Sequence, residues 1–158
     1  MKNITLTLLL ALVFVSSCKK DSNPPVTDVY VAGYQNIGGK KVATLWKNGE
    51  AKQLSTGQVN EYAYSVFVTG NDVYVAGNEN NGTKYVAKTW KNGVASPLSN
   101  GQNDVYLTSL FVSGTTVYAT TYEYNGTNYA ATLWKNANPT NLTNGQNDTY
   151  VTSVFVVN

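Results

Sequence analysis

Three short clusters hold the side chains best suited to chemistry: Gln58, Asn60 and Tyr62; Gln102, Asp104 and Tyr106; Gln146, Asp148 and Tyr150. Each sets a planar amide beside a second amide or a carboxylate, with a phenol close behind. Sugar hydroxyls need paired donors and acceptors, and the C–H face of a sugar packs on an aromatic ring, so the combination suits carbohydrate. The chain has no His and a single Cys, Cys18, which removes the commonest general base, the commonest metal ligand and any intrachain disulfide. Ser/His and Cys/His nucleophile arrangements are excluded with them. All 11 basic residues are Lys, against 9 acidic residues. The formal charge of +2 therefore comes without guanidinium forks for phosphates or bases, and nucleic acid is not an expected partner.

The clusters recur every 44 residues, and so does much else. Trp46, Trp90 and Trp134 keep that spacing, as do Gly57, Gly101 and Gly145, and Phe67, Phe111 and Phe155. Fourteen columns are identical in three ungapped copies, residues 28–71, 72–115 and 116–158. In the first copy they are Val29, Tyr30, Gly38, Ala43, Trp46, Lys47, Asn48, Leu54, Gly57, Gln58, Tyr62, Ser65, Phe67 and Val68. A fixed period of this length marks a repeat architecture. Within a copy, Asp28–Gly33, Val42–Trp46 and Tyr64–Val68 are short, rich in β-branched and aromatic residues and bounded by Gly or Asn, which predicts strands. Gln53-Leu54 predicts a weaker fourth. Asn48-Gly49 and Asn92-Gly93 predict tight type I′ hairpins. The third copy has Asn136-Ala137 there, and because Ala resists positive φ a longer or distorted turn is expected.

Four strands in 44 residues, one carrying a Trp, resemble a blade of a β-propeller. The Gly-His and Trp-Asp marks of WD40 repeats are missing, as are kelch and Asp-box signatures, so no subfamily is indicated. A β-solenoid is the alternative, although its coils are usually shorter and poorer in aromatics. The resemblance implies an all-β fold of three four-stranded antiparallel blades. The array opens on the Asp28-Val29-Tyr30 strand and closes on Ser153–Val156, whose counterparts directly precede Asp72 and Thr116. The two ends are complementary. Propellers typically have about four to eight blades, so the expected assembly is a homodimer closed by strand exchange into a six-bladed ring.

The first 27 residues have a different character. Lys2, an apolar stretch from Leu6 to Val15 and then Val15-Ser16-Ser17-Cys18 read as a secretory signal, the stretch being too short for a stable membrane span. An apolar residue, two small residues and Cys resemble the lipobox of bacterial lipoproteins. The resemblance implies a signal peptide at 1–17, lipidation of Cys18 and anchorage to a membrane by acyl chains. Residues 18–27, with Pro24 and Pro25, read as the lipidated Cys and a flexible tether. Lys19 stands where the enteric sorting pattern has an inner-membrane Asp, which implies an outer-membrane lipoprotein on the periplasmic or cell-surface side.

Each singled-out residue also has a plainer reading. Asn, Gly and Asp serve turns, and Gln58, Gln102 and Gln146 could tie down loop backbone. The three Trp are expected to pack between sheets with their indole N–H satisfied, and Ser65, Ser109 and Ser153 to line a channel or bond neighbouring strands. Lys47, Lys91 and Lys135 are expected to be solvated. Asn81-Gly82-Thr83 looks like a glycosylation acceptor but is read as turn chemistry. One acid per loop falls short of a calcium loop, so no metal and no cofactor are expected. The expected function is a non-enzymatic, membrane-anchored binding, adhesion or scaffold module with a glycan or surface-protein ligand on its polar loop face. Two alternatives stay open: a glycan-active enzyme or enzyme accessory using Asp104 and Asp148 in a central opening, and a purely structural surface protein.

Overall fold

The computed structural model describes residues 27–157. The expected signal peptide, Cys18 and nearly all of the tether lie outside the described residues. Among the described residues the chain is all-β, with eleven strands in three antiparallel sheets. β1 (Tyr30–Ile37), β2 (Lys40–Lys47) and β3 (Glu50–Gln53) form the first sheet. β4 (Glu61–Thr69), β5 (Asp72–Asn80), β6 (Tyr85–Lys91) and β7 (Val94–Pro97) form the second, in that order. β8 (Val105–Ser113), β9 (Thr116–Tyr124), β10 (Tyr129–Lys135) and β11 (Asn138–Asn141) form the third. The first sheet thus has three strands where four were expected. The strand that closes the first sequence copy, β4, pairs with β5 of the next, so the second and third sheets each straddle a copy boundary and nothing in the described chain supplies an inner neighbour for β1.

The sheets pack face against face in a row. Ala43 and Leu45 of β2 meet Ala63, Val75 and Trp90 of the second sheet, whereas Tyr74, Ala76 and Ala87 of the second meet Leu107, Leu110 and Trp134 of the third. The middle sheet is covered on both sides, which is why β5 is buried at five consecutive residues, Tyr74 to Asn78, instead of alternately. β3, β7 and β11 form the opposite, outer edge; each is four residues long and exposed throughout. The short outer strand begins directly after its hairpin, so the first is Glu50–Gln53, earlier than the expected Gln53-Leu54.

The three outer hairpins share one geometry. Asn48 and Gly49 have φ of 52° and 87°, Asn92 and Gly93 of 52° and 90°, and Asn136 and Ala137 of 48° and 65°. The expectation of a longer third turn is overturned: Lys135 pairs with Asn138 as Lys47 pairs with Glu50. Asn136 exchanges two hydrogen bonds with Val117, its N–H donating to the carbonyl and its Oδ1 accepting from the N–H, both at 2.9 Å. The Asn138 amide bridges back to the carbonyls of Lys135 and Asn136. These bonds hold Ala137 left-handed against a steric cost of about 1–2 kcal/mol.

Candidate functional site

The loops before β4 and β8, and the matching loop at 142–148, emerge at the same end of the sheets as the β5–β6 and β9–β10 connections. Backbone bonds join them: Asn80 N–H donates to Asn60 O at 2.8 Å, and Tyr124 N–H to Asp104 O at 3.0 Å. Asn60, Asp104 and Asp148 have one repeated task. Their Oδ1 atoms accept the N–H of Lys41 (2.9 Å), Tyr85 (2.9 Å) and Tyr129 (2.8 Å), fastening the starts of β2, β6 and β10. Burial would push the Asp104 carboxyl up, but the Tyr85 N–H and the Lys84 ammonium, 3.0 Å from Oδ2, outweigh it and hold the group below the usual carboxylate range. These three residues are structural first, as the plainer reading had it.

Gln58, Gln102 and Gln146 depart from that reading. Their side chains are exposed and make no hydrogen bond to the described residues, so both donor and acceptor of each amide face solvent. The loops are ordered by other groups: Asn100 and Asn144 accept the N–H of Gln102 and Gln146 at 3.1 Å. A repeated hydroxyl that the sequence reading passed over, Ser55, Ser99 and Thr143, accepts the N–H of Ala43, Ala87 and Ala131. The visible signal was a Ser/Ser/Thr column. In the β5–β6 connection Asn81 Oδ1 takes the N–H of Thr83 and Lys84 and the Thr83 hydroxyl, which makes Asn81-Gly82-Thr83 a side-chain-stapled turn.

Tyr62, Tyr106 and Tyr150 belong to something larger than the three clusters. Of the 12 tyrosines, nine form one unbroken series of ring contacts along this end of all three sheets. Tyr34 meets Tyr62 edge-on at 4.9 Å, Tyr62 stacks with Tyr64 and leads through Tyr85 to Tyr106. Tyr106 stacks on Tyr122 at 5.2 Å, and Tyr122, Tyr129 and Tyr150 contact one another at 5.1–5.5 Å, with Tyr124 against Tyr129. Edge-to-face and offset pairs of this kind let ring quadrupoles attract, and Tyr34, Tyr64, Tyr124 and Tyr150 remain exposed within the series. Burial, and then the neighbouring phenols, push Tyr64 up to about 12. Burial and the nearby Asp104 charge do the same for Tyr106, so both of these phenols stay uncharged at neutral pH. Sequence reasoning missed its extent because Tyr34, Tyr85, Tyr122 and Tyr129 do not recur in every copy.

Charged groups gather at one place beneath the belt. Lys88 Nζ lies between Glu61 Oε1, at 2.5 Å, and Glu79 Oε2, in the half-buried middle of the second sheet. Burial alone would lower the ammonium's pKa, but the two carboxylates outweigh it and raise it. Among the described residues no three acidic or metal-ligating side chains converge. Two clefts lie between sheets rather than at the belt. One of about 240 Å³ is lined by Tyr30, Leu45, Lys52, Val73 and Asn92, the other of about 310 Å³ by Ser99, Asn103, Glu123, Thr132 and Trp134.

The repeated Trp and Ser columns divide. Trp134 Nε1 donates to Thr121 Oγ1 at 2.8 Å, whereas the buried Trp90 indole N–H has no partner, because Gly77 stands where the third sheet has Thr121. The expectation that every indole would be satisfied is corrected at Trp90. Ser65 Oγ accepts the N–H of Leu110 at 3.1 Å and Ser109 Oγ that of Val154 at 3.2 Å, so these hydroxyls join inner strands of successive sheets. Lys47 and Lys91 are half-exposed yet paired with Asp28 and Asp72 at 2.8 Å, over the rings of Tyr30 and Tyr74. The chain matches no family model, and no curated protein is significantly similar to it in sequence.

Proposed function

We propose that the protein is an exported, membrane-anchored bacterial lipoprotein, lipidated at Cys18, that works without enzymatic turnover as a binding or adhesion module at the outer membrane. Its ligand is a glycan, received on the tyrosine belt and the amides beside it. The observation that carries this reading is a continuous belt of phenols at the end of the sheets that also carries the exposed amides of Gln58, Gln102 and Gln146. Rings supply apolar faces for C–H groups, and the amides supply the paired donors and acceptors that hydroxyls need. Charge steering has no part in it. Asp104 and Asp148 each give one carboxylate oxygen to a backbone N–H, and Asp104 is tied to Lys84 as well, which favours a structural use of both over an acid and base pair. The three sheets are read as propeller-type blades, and their row as half of a six-bladed ring.

Titration against immobilised and soluble oligosaccharides tests this reading. The wild-type chain is expected to retain at least one glycan class. Gln58→Ala, Gln102→Ala and Gln146→Ala combined, or Tyr124→Ala alone, should weaken retention about tenfold with unchanged thermal unfolding, about 1.4 kcal/mol of binding energy. No retention by the wild type, or equal retention by the triple variant, sinks the proposal.

A further inference from the structure

We infer that the open inner edge of β1 is the docking surface for residues 149–157 of a second copy of this chain. The inference deepens the ring reading by naming its seam. Two unpartnered features carry it. Val31 of β1 is 52% exposed, whereas its counterparts Val75 and Ala119, covered by an inner strand, are each 1% exposed. At the other end of the row, residues 149–157 pair with no strand, yet lie where the inner strand of a further sheet would be. Val154 N–H donates to Ser109 Oγ just as Leu110 N–H donates to Ser65 Oγ, and Phe155 packs on Phe111 at 4.9 Å as Phe111 packs on Phe67 at 4.7 Å. The tail is thus an inner strand without its sheet, and the first sheet lacks an inner strand.

The register follows from the two complete sheets. Phe67 pairs with Tyr74, Val66 with Val75, Ser65 with Ala76 and Tyr62 with Asn78, and the third sheet repeats this with Phe111, Leu110, Ser109 and Tyr106. Transferred to the seam, Phe155 of one copy faces Tyr30 of the other, Val154 faces Val31, Ser153 faces Ala32 and Tyr150 faces Tyr34. Val29 and Val31 direct their backbone groups toward β2, as the Asn48 N–H to Val29 O bond at 2.9 Å shows, so alternation leaves those of Tyr30, Ala32 and Tyr34 for the incoming strand. Phe155, 76% exposed, would be covered by the same step. Tyr150 would meet Tyr34 as Tyr106 stacks on Tyr122 at 5.2 Å, joining the belts of two copies end to end. The Ser153 hydroxyl would accept the Val66 N–H of the copy it enters.

The test uses full chains carrying Cys18→Ser, so that the only thiols are engineered, purified in mild detergent. Val31→Cys is placed in one preparation and Val154→Cys in another; the two are mixed, unfolded, refolded together and oxidised. Facing residues of a non-hydrogen-bonded antiparallel pair sit about 4.5 Å apart at Cα, within disulfide reach. A 31–154 disulfide between copies, abolished by Ala32→Pro and preserved by Ala32→Val, is the expected result. The absence of that disulfide in well-folded protein overturns the seam, as does its formation only within single chains when one chain carries both thiols. When both thiols are in one chain, a dimer with two disulfides supports two-copy closure. A ladder of higher products keeps the seam and removes the six-bladed ring. A concentration-independent monomer by light scattering of the Cys18→Ser chain overturns both.

Discussion

The second and third sheets are built on one template, and they differ where each faces its neighbours. Hairpins, loop staples and the Ser65 and Ser109 bonds coincide. At the positions between them, the second sheet has Glu61 and Lys88 where the third has Val105 and Thr132, and Asn78 where the third has Tyr122. Asn78, only 1% exposed, bonds across the gap: its Nδ2 donates to Val105 O at 2.6 Å and its Oδ1 accepts Leu107 N–H at 2.9 Å. The middle sheet thus meets the third with a fully bonded buried amide, while the third offers a phenol that extends the belt. Backbone ladders impose the shared columns; different neighbours release the rest from repetition.

Alkali should break the contrast most severely, because it acts on several groups at once. The folded-state pKa values of Tyr62, Tyr64 and Tyr106 are raised, mainly by burial, and that of Lys88 is raised by its two carboxylates. Their contribution is complete below the ordinary Tyr and Lys values near 10 and is lost as pH rises toward 12, since the folded state holds the protons longer. Urea midpoints should fall steadily across that window, with amide exchange rising first in β4 and β6. A flat profile would show that the phenols are not desolvated.

Lys88→Met should follow, costing about 3 kcal/mol, because Glu61 then keeps a buried carboxylate without its cation. Adding Glu61→Gln should recover much of the loss, whereas Thr132→Val in the third sheet should cost less than about 1 kcal/mol. Asn78→Ala orphans Val105 O and Leu107 N–H together and is expected to cost about 2–3 kcal/mol in urea unfolding. Thr121→Val, which leaves the Trp134 indole as unpartnered as Trp90 already is, should cost about 1–2 kcal/mol. Smallest and opposite in sign, Ala137→Gly should stabilise the third hairpin by about 0.5–1 kcal/mol, raising the melting temperature by a few degrees. A destabilised Ala137→Gly would mean that Ala137 packs usefully, contrary to the turn geometry.

The strands and hairpins were legible because period-2 apolar patterning and Asn-Gly turns are local, and three copies in one register repeat the message. The third turn was misread, because the bonds that hold Ala137 come from Asn136 and Asn138 and from Val117, nineteen residues before Asn136. The three site clusters were visible as columns, but their parts separate on folding. Asn60, Asp104 and Asp148 fasten backbone, the glutamines face solvent, and the tyrosines join others that no column announces. Tyr85 and Tyr129 stand where the first copy has Lys41, and only the lateral stacking of sheets shows that they bridge one cluster to the next. The Asn78 bridge was hidden for the same reason, since contacts between sheets follow shape and burial rather than spacing along the chain, and the Lys88 pairings were hidden because Glu61 and Lys88 recur in no other copy.

The outer strands β3, β7 and β11 carry a consequence for crowding and aggregation. Each is only four residues long and fully exposed, and each holds a residue that discourages pairing: Lys52 in the first, Pro97 in the second, Pro139 in the third. Short strands, proline and lysine blunt an edge that would otherwise template the addition of foreign strands. The row of sheets is therefore guarded along its outer rim. Copies crowded together can meet rim to rim without growing into fibres from that side.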